Sequence, residues 1–318
     1  MTTTPPPARP APPPFTPSPL EPLPHQLLAA LAQHRMATTG QLRLLLRPHA
    51  TRQAISQPLN RLRTHGLINY TVLPRSNRTR AWYLTPDGAR LTRNWPALRG
   101  RPPYPITSTT AASLKTPHTL TAVRAHLTFV RDARRRGDEH GHLDWTPEVT
   151  HPLSERERVI ADAVMHYTLN HDQQRRKLRA FIEIDRATMS SERLAAKLID
   201  YARLWSHPSQ PANHRRPRQH TETDAAWLRW YPVYPRILFI LTGASPTTLA
   251  NRINDLRDMT TQHPLVAALA RNVPLGAATL NDLETAGPSQ NVWVCLAGAP
   301  DRQPWHALHP GFTYAKTT

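Results

Sequence analysis

Hydrophobic residues recur at helical spacing in three successive segments near the beginning of the chain, 24–35, 38–48 and 51–66. Threonines that suit helix N-caps stand at the beginning of the second and third segments. The third segment should end at Gly66 and kink at Pro58, because a proline removes a backbone hydrogen bond inside a helix. The pattern therefore predicts three consecutive helices.

Two β-rich runs follow, at 67–73 and 80–85, around the polar, basic turn PRSNRTR. The next stretch, PDGARLTRNW, predicts a short closing helix. Three helices followed by a basic hairpin is the element order of a winged helix-turn-helix, in which the third helix enters the major groove. We therefore predict a DNA-binding domain over residues 24–95.

The side chains expected to contact DNA are the basic and amide residues of the third helix and of the hairpin. On the helix they would donate to base edges and phosphates, and on the hairpin they would follow a phosphate backbone or enter a minor groove. The predicted contacts are Arg52, Gln53, Gln57, Asn60, Arg61, Arg63, Arg75, Arg78 and Arg80. A winged helix that contacts only proteins, or a basic face that is merely solvated, stays open as an alternative.

The rest of the chain divides by composition. Residues 1–23 are so rich in proline that they predict an extended, largely disordered tail, and residues 96–117 read as a linker rich in Pro, Ser and Thr. Residues 118–318 then predict the order helix, strand, hairpin, helix, strand, helix, strand. This order indicates one mixed sheet with helices on its faces, so the expected fold class is α/β (α+β).

Charge changes the picture more than any other compositional feature. The 318 residues carry a formal net charge of +18, and only four of the 40 basic residues are lysines. A GC-rich coding bias explains the preference for arginine, but it does not explain the excess of bases over acids. A surplus of this size favours a polyanionic partner, and double-stranded DNA is the partner that we expect.

Cysteine and hydropathy exclude other classes of protein. The single cysteine, Cys295, rules out an internal disulfide framework and a cysteine-based zinc finger. No window approaches 18 uncharged apolar residues, and the N-terminus lacks a secretory signal pattern. We therefore expect no membrane partner and a cytoplasmic location.

Two carboxylates interrupt a hydrophobic strand in FIEID. Alternate residues of a strand share a face, so Phe181, Glu183 and Asp185 should point one way while Ile182 and Ile184 point the other. Buried acids need a metal, a base or water, because an unpaired buried carboxylate costs several kcal/mol or more. The strand therefore predicts a polar site inside the fold.

A third carboxylate lies on the preceding strand of the predicted hairpin, within the apolar run VIADAVM. A suitable hairpin register would place Asp162 beside Glu183 or Asp185. Three convergent carboxylates are a reasonable ligand set for Mg²⁺ or Mn²⁺. The predicted metal ligands are therefore Asp162, Glu183 and Asp185.

The helix after this strand adds a base and a phenol. Lys197 lies about 60° from the centre of the apolar stripe, since successive helical residues are rotated by roughly 100°. Tyr201 is its neighbour one turn later. A lysine at that edge can reach back toward the end of the strand, so both residues join the three carboxylates as candidate catalytic residues.

The order Asp162, then Glu183-x-Asp185, then Lys197 and Tyr201 on a helix resembles the restriction-endonuclease-like PD-(D/E)XK fold. That resemblance implies two acids that hold a metal ion and a lysine that orients the attacking water. The position two after Glu183 is Asp185 rather than lysine, so Lys197 would have to act from the helix.

A more specific resemblance covers about residues 25–260. A predicted winged helix, then ADAV, then FIEIDRATMSSERLAAKLIDYARL and a later RILFILTGA is similar to the replication-relaxation family. The resemblance implies a role in replication, relaxation or mobilisation of plasmid or mobile-element DNA, with other plasmid replication or mobilisation proteins as partners. The enzyme implied by the PD-(D/E)XK resemblance would be a metal-dependent endonuclease or nickase, active or degenerate.

Other interpretations of the same residues stay open. Glu183 and Asp185 would be structural if the strand emerged into solvent and Asp185 capped the turn and paired with Arg186 or Arg193. Asp162 would then accept hydrogen bonds from a turn, and Lys197 would only snorkel beside Tyr201. The chain would in that case be a non-enzymatic DNA-binding regulator whose C-terminal domain mediates dimerisation or partner contacts. An RNA-binding module with the same basic surface is a third alternative.

Overall fold

The structure is a computed structural model, and it describes residues 22–74, 76–98, 105–106, 109–171, 174–208 and 225–311. The helices are α1 (Pro22–His34), α2 (Thr39–Leu46), α3 (Arg52–Thr64), α4 (Pro86–Thr92), α5 (Thr109–Arg136), α6 (Ser191–Ser206), α7 (Pro246–Gln262), α8 (Pro264–Asn272) and α9 (Leu280–Thr285). The strands are β1 (Met36–Thr38), β2 (Ile68–Val72), β3 (Arg80–Leu84), β4 (Trp145–Pro152), β5 (Arg158–His171), β6 (Gln174–Asp185), β7 (Arg236–Leu241), β8 (Leu275–Thr279), β9 (Trp293–Cys295) and β10 (Arg302–Gln303). Short 3₁₀ helices occur at Pro96–Leu98 and Ala226–Arg229. Almost all of the predicted N-terminal tail, and Arg75, lie outside the described residues.

The chain divides into two compact units between Leu120 and Thr121. In the first unit, α1, α2 and α3 come before an antiparallel hairpin of β2 and β3, as the sequence predicts. Strand β1, which the sequence pattern does not predict, pairs with the other side of β3, from Met36 opposite Tyr83 to Thr38 opposite Ala81. The short β1 therefore holds the connection between α1 and α2 against the hairpin.

The helices of this unit begin where polar side chains satisfy free backbone N–H groups. At α2, Thr38 Oγ1 accepts from the Gln41 N–H at 3.1 Å, and Gln41 Oε1 accepts from the Thr38 N–H at 2.9 Å, which is a capping box. At α3, Thr51 Oγ1 accepts from the Ala54 N–H at 3.3 Å. Past the end of α3, Gly66 adopts a φ of 73°, which glycine reaches without steric cost. The predicted limits of both helices are confirmed.

The second unit is built on one mixed sheet. In the described part of the chain, seven strands lie in the order β10-β9-β8-β7-β6-β5-β4. Strands β6, β7 and β8 are parallel, and the flanking pairs on both sides are antiparallel. The predicted hairpin is confirmed as β5 and β6, which pair from His171 opposite Gln174 to Ala163 opposite Ile182.

Helices cover both faces of this sheet. On one face α6, α7 and α8 bury a core that includes Phe181, and on the other α5 and α9 bury a core that includes Ile182 and Ile184. The predicted alternation along FIEID is therefore confirmed. Because the carboxyl-terminal half of β6, residues 180–185, is buried, a polar group there must find its partners inside the protein.

Some elements differ from the sequence pattern. Helix α5 begins at Thr109 instead of His118, so the second half of the segment interpreted as a linker is helical. The pattern did not predict α8, β8, α9 or β10. Strand β8 reads LGAAT, and glycine and alanine are depleted in strands, so its place in the parallel centre of the sheet comes from tertiary pairing rather than propensity. Among the described residues, none of the helices is both long enough and apolar enough to cross a bilayer.

Candidate functional site

Both acids of β6 are buried at its carboxyl end. Glu183 is 3% exposed and Asp185 is 1% exposed. Beyond them, the Thr242 N–H donates to the Asp185 carbonyl at 2.8 Å, and a Cβ on Gly243 would lie 2.5 Å from the Arg186 carbonyl oxygen. The chain after β7 therefore packs tightly against the end of β6.

Asp162 reaches β6 through an irregularity in β5. Residues two apart on a regular strand share a face, yet Ala161 packs in the core beneath α6 and Ala163 packs in the core beneath α5. Opposite this point in β4, Glu148 has a φ of 48°. The Asp162 carboxylate turns toward β6 here, and its Oδ2 accepts from the Ile184 N–H at 2.8 Å. Asp162 therefore comes to lie beside Glu183.

Helix α6 brings Lys197 and Tyr201 to the same carboxylate. The Tyr201 hydroxyl donates to Glu183 Oε1 at 2.5 Å, and Lys197 Nζ lies 3.0 Å from Glu183 Oε2. Lys197 Nζ also donates to the Ile160 carbonyl at 3.0 Å. Four of the five residues that the sequence singles out, Asp162, Glu183, Lys197 and Tyr201, therefore form one cluster, which we call the carboxylate cluster.

Burial sets the protonation of this cluster. Burial raises the pKa of Glu183 to about 8, and the neighbouring Asp162 carboxylate acts in the same direction, while Lys197 and the Tyr201 hydroxyl oppose it. Burial works to lower the pKa of Lys197, but the Glu183 and Asp162 carboxylates outweigh it and the pKa is raised. Burial and the same carboxylates raise the pKa of Tyr201 well above its usual value. Near neutral pH, the lysine therefore stays charged and the phenol stays protonated.

Asp185 belongs to a different interaction. Its Oδ2 accepts from Arg252 Nε of α7 at 2.5 Å, and its Oδ1 accepts from the Ala187 N–H at 3.0 Å. The Arg252 side chain is 9% exposed, so this is a buried ion pair. The turn-capping role considered for Asp185 is present, but its cationic partner is Arg252 and not Arg186 or Arg193.

These contacts allow a test of the predicted metal ligands. In the residues that the structure describes, no three His, Cys, Asp or Glu side chains are arranged to hold a metal ion. Asp185 does not fit the predicted set of three carboxylates, because Arg252 already holds it. Asp162, Glu183 and the Ile160 carbonyl do fit a cation, since the Lys197 ammonium contacts Glu183 and the Ile160 carbonyl and its pKa is raised by the Asp162 charge as well. Hard oxygen ligands of this kind suit Mg²⁺.

The predicted DNA contacts of α3 share one exposed surface. Ile55, Leu59 and Leu62 are fully buried and point into the first unit. The polar residues predicted to contact DNA are all exposed: Arg52, Gln53, Gln57, Asn60, Arg61 and Arg63. The helix therefore presents a row of arginine and amide side chains to solvent without using any of them in the core.

The hairpin is linked to this surface through an aromatic side chain. The Arg63 guanidinium lies 4.9 Å from the centre of the Tyr70 ring and the Arg80 guanidinium lies 4.5 Å from it. Arg80 Nη1 also donates to Asn60 Oδ1 at 3.2 Å. Arg78 is exposed at the turn, where it has a φ of 57°. The stacking on Tyr70 therefore fixes Arg63 and Arg80 relative to each other.

Two residues of these sites, Arg252 and Tyr70, were not predicted from the sequence. Arg252 lies on the buried stripe of α7 with Leu249, Ile253 and Leu256, and a charged residue on such a stripe is a detectable signal that a buried partner exists. Nothing in the local pattern of β2 distinguishes Tyr70 from an ordinary strand tyrosine.

Comparison with protein families places most of the chain in a known family. The family model described as Replication-relaxation matches residues 28–218, which is more than half of the chain. The matched range contains α3, the β2–β3 hairpin and the whole carboxylate cluster, and it ends before β7, so Arg252 lies outside it. No curated protein and no solved structure matches the chain.

Proposed function

The chain belongs to the replication-relaxation family, and we propose that it binds double-stranded DNA during replication or relaxation of a plasmid or mobile element. The observation that carries the proposal is the exposed surface of α3, with its row of arginine and amide side chains above a buried apolar face. Such side chains form bidentate contacts with guanine, adenine and phosphate. The net charge of +18 supports the same partner.

In this proposal the first unit is a winged helix-turn-helix. Helix α3 enters the major groove, and the hairpin of β2 and β3 is the wing, with Arg78 and Arg80 directed to the phosphate backbone. The capping box of α2 and the N-cap of α3 support the assignment, because they define two short helices with a tight connection.

Salt-dependent binding tests this proposal. Arg61→Ala and Arg78→Ala should each weaken binding to a DNA duplex and lower the slope of log affinity against log salt by about 1, since each removes one phosphate-directed cation. Fluorescence anisotropy of a labelled duplex at several salt concentrations measures both quantities. Arg93→Ala, an exposed arginine of the same unit at the end of α4, is the control and should bind like the wild type. Slopes that do not change in the first two variants would exclude α3 and the hairpin as the contact.

For the second unit, we propose a nuclease-like domain of the PD-(D/E)XK type that acts on the same DNA. The supporting observation is the carboxylate cluster, in which two acids, a lysine and a backbone carbonyl converge at the carboxyl end of β6. Asp162, Glu183 and the Ile160 carbonyl would hold Mg²⁺ or Mn²⁺. A divalent ion bound there supplies Lewis-acid activation of water and neutralises charge on a phosphodiester.

The chain's own groups would act around that ion. Glu183 carries a proton up to about pH 8 and must lose it to serve as a ligand, so cation binding releases a proton. Lys197 must leave its position between Glu183 and the Ile160 carbonyl, and its ammonium is then free to orient water or stabilise a phosphate oxygen. Tyr201 keeps the Glu183 carboxylate in place through its hydroxyl.

A nicking assay tests the second unit. Supercoiled plasmid incubated with Mg²⁺ or Mn²⁺ should be nicked by the wild type, and Glu183→Ala and Lys197→Ala should abolish the nicking. Glu192→Ala is the control, because Glu192 is an exposed acid at the beginning of the same helix as Lys197. Equal nicking by all four proteins would identify the activity as a contaminant.

The alternative is a non-enzymatic DNA-binding regulator, in which the second unit mediates dimerisation or contacts with other replication or mobilisation proteins. The ion pair of Asp185 with Arg252 favours this alternative, because it removes one of the three predicted metal ligands. A wild-type protein that binds duplex DNA but nicks no plasmid substrate with either metal would support the alternative.

A further inference from the structure

A second group of charged residues lies on the opposite end and opposite face of the large sheet from the carboxylate cluster. Arg176 is seven residues before Glu183 in β6, which is roughly 23 Å at 3.3 Å per residue. It shares a strand face with Ala180 and Ile182, whose core lies beneath α5, whereas Phe181 belongs to the core beneath α6. The two groups are therefore separate sites.

Four cationic or titratable side chains meet at this end. Arg176 Nη2 donates to the His306 carbonyl at 3.3 Å, and Arg236 Nη1, from the beginning of β7, donates to the Leu308 carbonyl at 2.5 Å. The side chain of His306 lies within electrostatic range of Arg176, Arg236 and Arg136, the last residue of α5. Three different elements and the C-terminal segment thus contribute to one surface, which we call the arginine cluster.

Asp138 is the counter-ion of Arg136, whereas the other nearby carboxylates pair with arginines outside the cluster. Asp138 accepts from Arg136 Nε, from the Tyr167 hydroxyl and from the Asn170 N–H, each at 2.9 Å, so its charge is shared among three donors. Glu139 pairs with Arg175, and Asp132 pairs with Arg135. Within the described chain, Arg176 and Arg236 donate to carbonyl groups and form no ion pair.

Two features of this surface favour an anion as its ligand. His306 Nε2 is buried and has no hydrogen-bond partner in the described part of the chain, although buried polar atoms normally have one. Burial and, to a smaller extent, the neighbouring Arg176 lower the pKa of Arg236 to about 10. Burial also lowers the pKa of His306, and Arg136, Arg236 and Arg176 act in the same direction while Asp138 opposes them. Burial is the larger cause of both shifts, and the neighbouring guanidinium groups add to it.

We propose that Arg136, Arg176 and Arg236, together with His306, form a second phosphate-binding site that holds the DNA backbone on the second unit. The guanidinium groups of arginine match phosphate oxygens in a fork geometry, and the imidazole N–H of His306 can donate to the same group. The inference rests on the proposed DNA binding, but it uses none of the residues of α3 or of the β2–β3 hairpin. The phosphate is that of the nucleic-acid backbone, and a free phosphate compound is the competing source of the same chemistry.

Charge reversal at an exposed position tests the site. Arg176→Glu should weaken binding of the full-length protein to a labelled duplex by roughly tenfold, because a hydrogen bond between charged groups is lost and a repulsion is added. It should also lower the salt slope by about 1. Arg271→Glu, which makes the same charge change at an exposed arginine at the end of α8, is the control and should have a smaller effect. Arg176→Lys should bind the duplex more tightly than Arg176→Glu, since lysine keeps the positive charge.

The outcomes separate this inference from the proposed function. If Arg61→Ala weakens DNA binding while Arg176→Glu binds no worse than Arg271→Glu, the arginine cluster is not a DNA contact although the DNA-binding proposal stands. If the wild type binds no duplex, both proposals fail. Inorganic pyrophosphate is the probe for the competing source. Calorimetry measures pyrophosphate binding by the wild type and by Arg176→Glu. If Arg176→Glu lost pyrophosphate binding but kept the wild-type affinity for the duplex, the site would not hold the DNA backbone.

Discussion

At the scale of single residues, two acids on the same face of β6 have different environments. Glu183 is buried beside a lysine, a tyrosine and a second carboxylate, and its pKa is raised to about 8. Asp185, two residues later, is matched by one guanidinium from α7. The difference is decided by which side chains the neighbouring helices bring to each carboxylate.

The raised pKa of Glu183 predicts a pH dependence of stability. The folded protein keeps a proton on Glu183 up to about pH 8, while the unfolded chain releases it near the ordinary value of 4.5. The free energy of unfolding should therefore fall as the pH rises through this window, and Glu183→Gln should remove that fall. Urea unfolding of both proteins at pH 5, 6, 7 and 8 gives the difference in their free energies of unfolding at each pH. The titration of buried histidines contributes equally to both proteins and drops out of this difference. If the free energies of unfolding of the two proteins changed in parallel with pH, the raised pKa of Glu183 would be contradicted.

The ion pair of Asp185 predicts a large loss of stability on truncation of its partner. Arg252→Met should lower the free energy of unfolding by about 3–5 kcal/mol, because it leaves a buried carboxylate without a counter-charge. Adding Asp185→Asn should recover part of the loss. Arg271→Met is the matched control at an exposed site and should change stability by less than about 0.5 kcal/mol. Chemical denaturation of the three variants decides the matter, and equal stabilities would show that the pair contributes nothing.

At the scale of elements, α3 and the β2–β3 hairpin behave as one surface because Tyr70 joins them. Arg63 comes from the helix and Arg80 from the hairpin, and both guanidinium groups stack near the same ring. Each such contact contributes about 0.5–1 kcal/mol at an exposed site. Tyr70 therefore orients two predicted DNA contacts without having to touch DNA itself.

Removing the ring of Tyr70 should affect binding more than folding. Tyr70→Leu should weaken duplex binding by roughly fivefold, since two stacking contacts that orient arginines are lost. Tyr70→Phe keeps the ring and should bind like the wild type. Anisotropy titrations measure affinity, and thermal unfolding checks that the first unit stays folded. If Tyr70 acted only through its hydroxyl, both variants would weaken binding to the same extent.

At the scale of the whole molecule, the second unit depends on both faces of its sheet. The core beneath α6, α7 and α8 and the core beneath α5 and α9 are separated by strands whose residues are buried on both sides. Because of this arrangement, β6 places Glu183 on one face while Ile182 and Ile184 pack in the core on the opposite face. Loss of packing on either face should therefore destabilise the same unit.

Matched leucine truncations test this dependence. Leu198→Ala on α6 and Leu283→Ala on α9 should each lower the free energy of unfolding of the second unit by about 2–5 kcal/mol, because both side chains are fully or almost fully buried. Leu265→Ala on α8 is the control, since that side chain is 43% exposed and should contribute less than about 1 kcal/mol. A large loss at only one face would show that the other layer is not part of the same cooperative unit.

The local pattern of the sequence determined much of this protein. Helical spacing and threonine caps located α2 and α3, and two strand-like runs around a polar turn located the β5–β6 hairpin. The strand period assigned Glu183 and Asp185 to one face and Ile182 to the other. These features depend on neighbours within about one turn of a helix or one pair of strands, so they can be read from the order of residues. The excess of positive charge is likewise a property of composition alone.

Only the tertiary structure decided which groups meet. Arg252 reaches Asp185 from 67 positions away, Asp162 faces β6 because β5 changes phase at that residue, and the arginine cluster draws on three elements and the C-terminal segment. Strand β8, poor in β-forming residues, exists because β7 pairs with it. Contacts of this kind follow from how the sheet, its irregularities and its covering helices pack together. Local periodicity fixes the direction of a side chain but not the partner that burial brings to it.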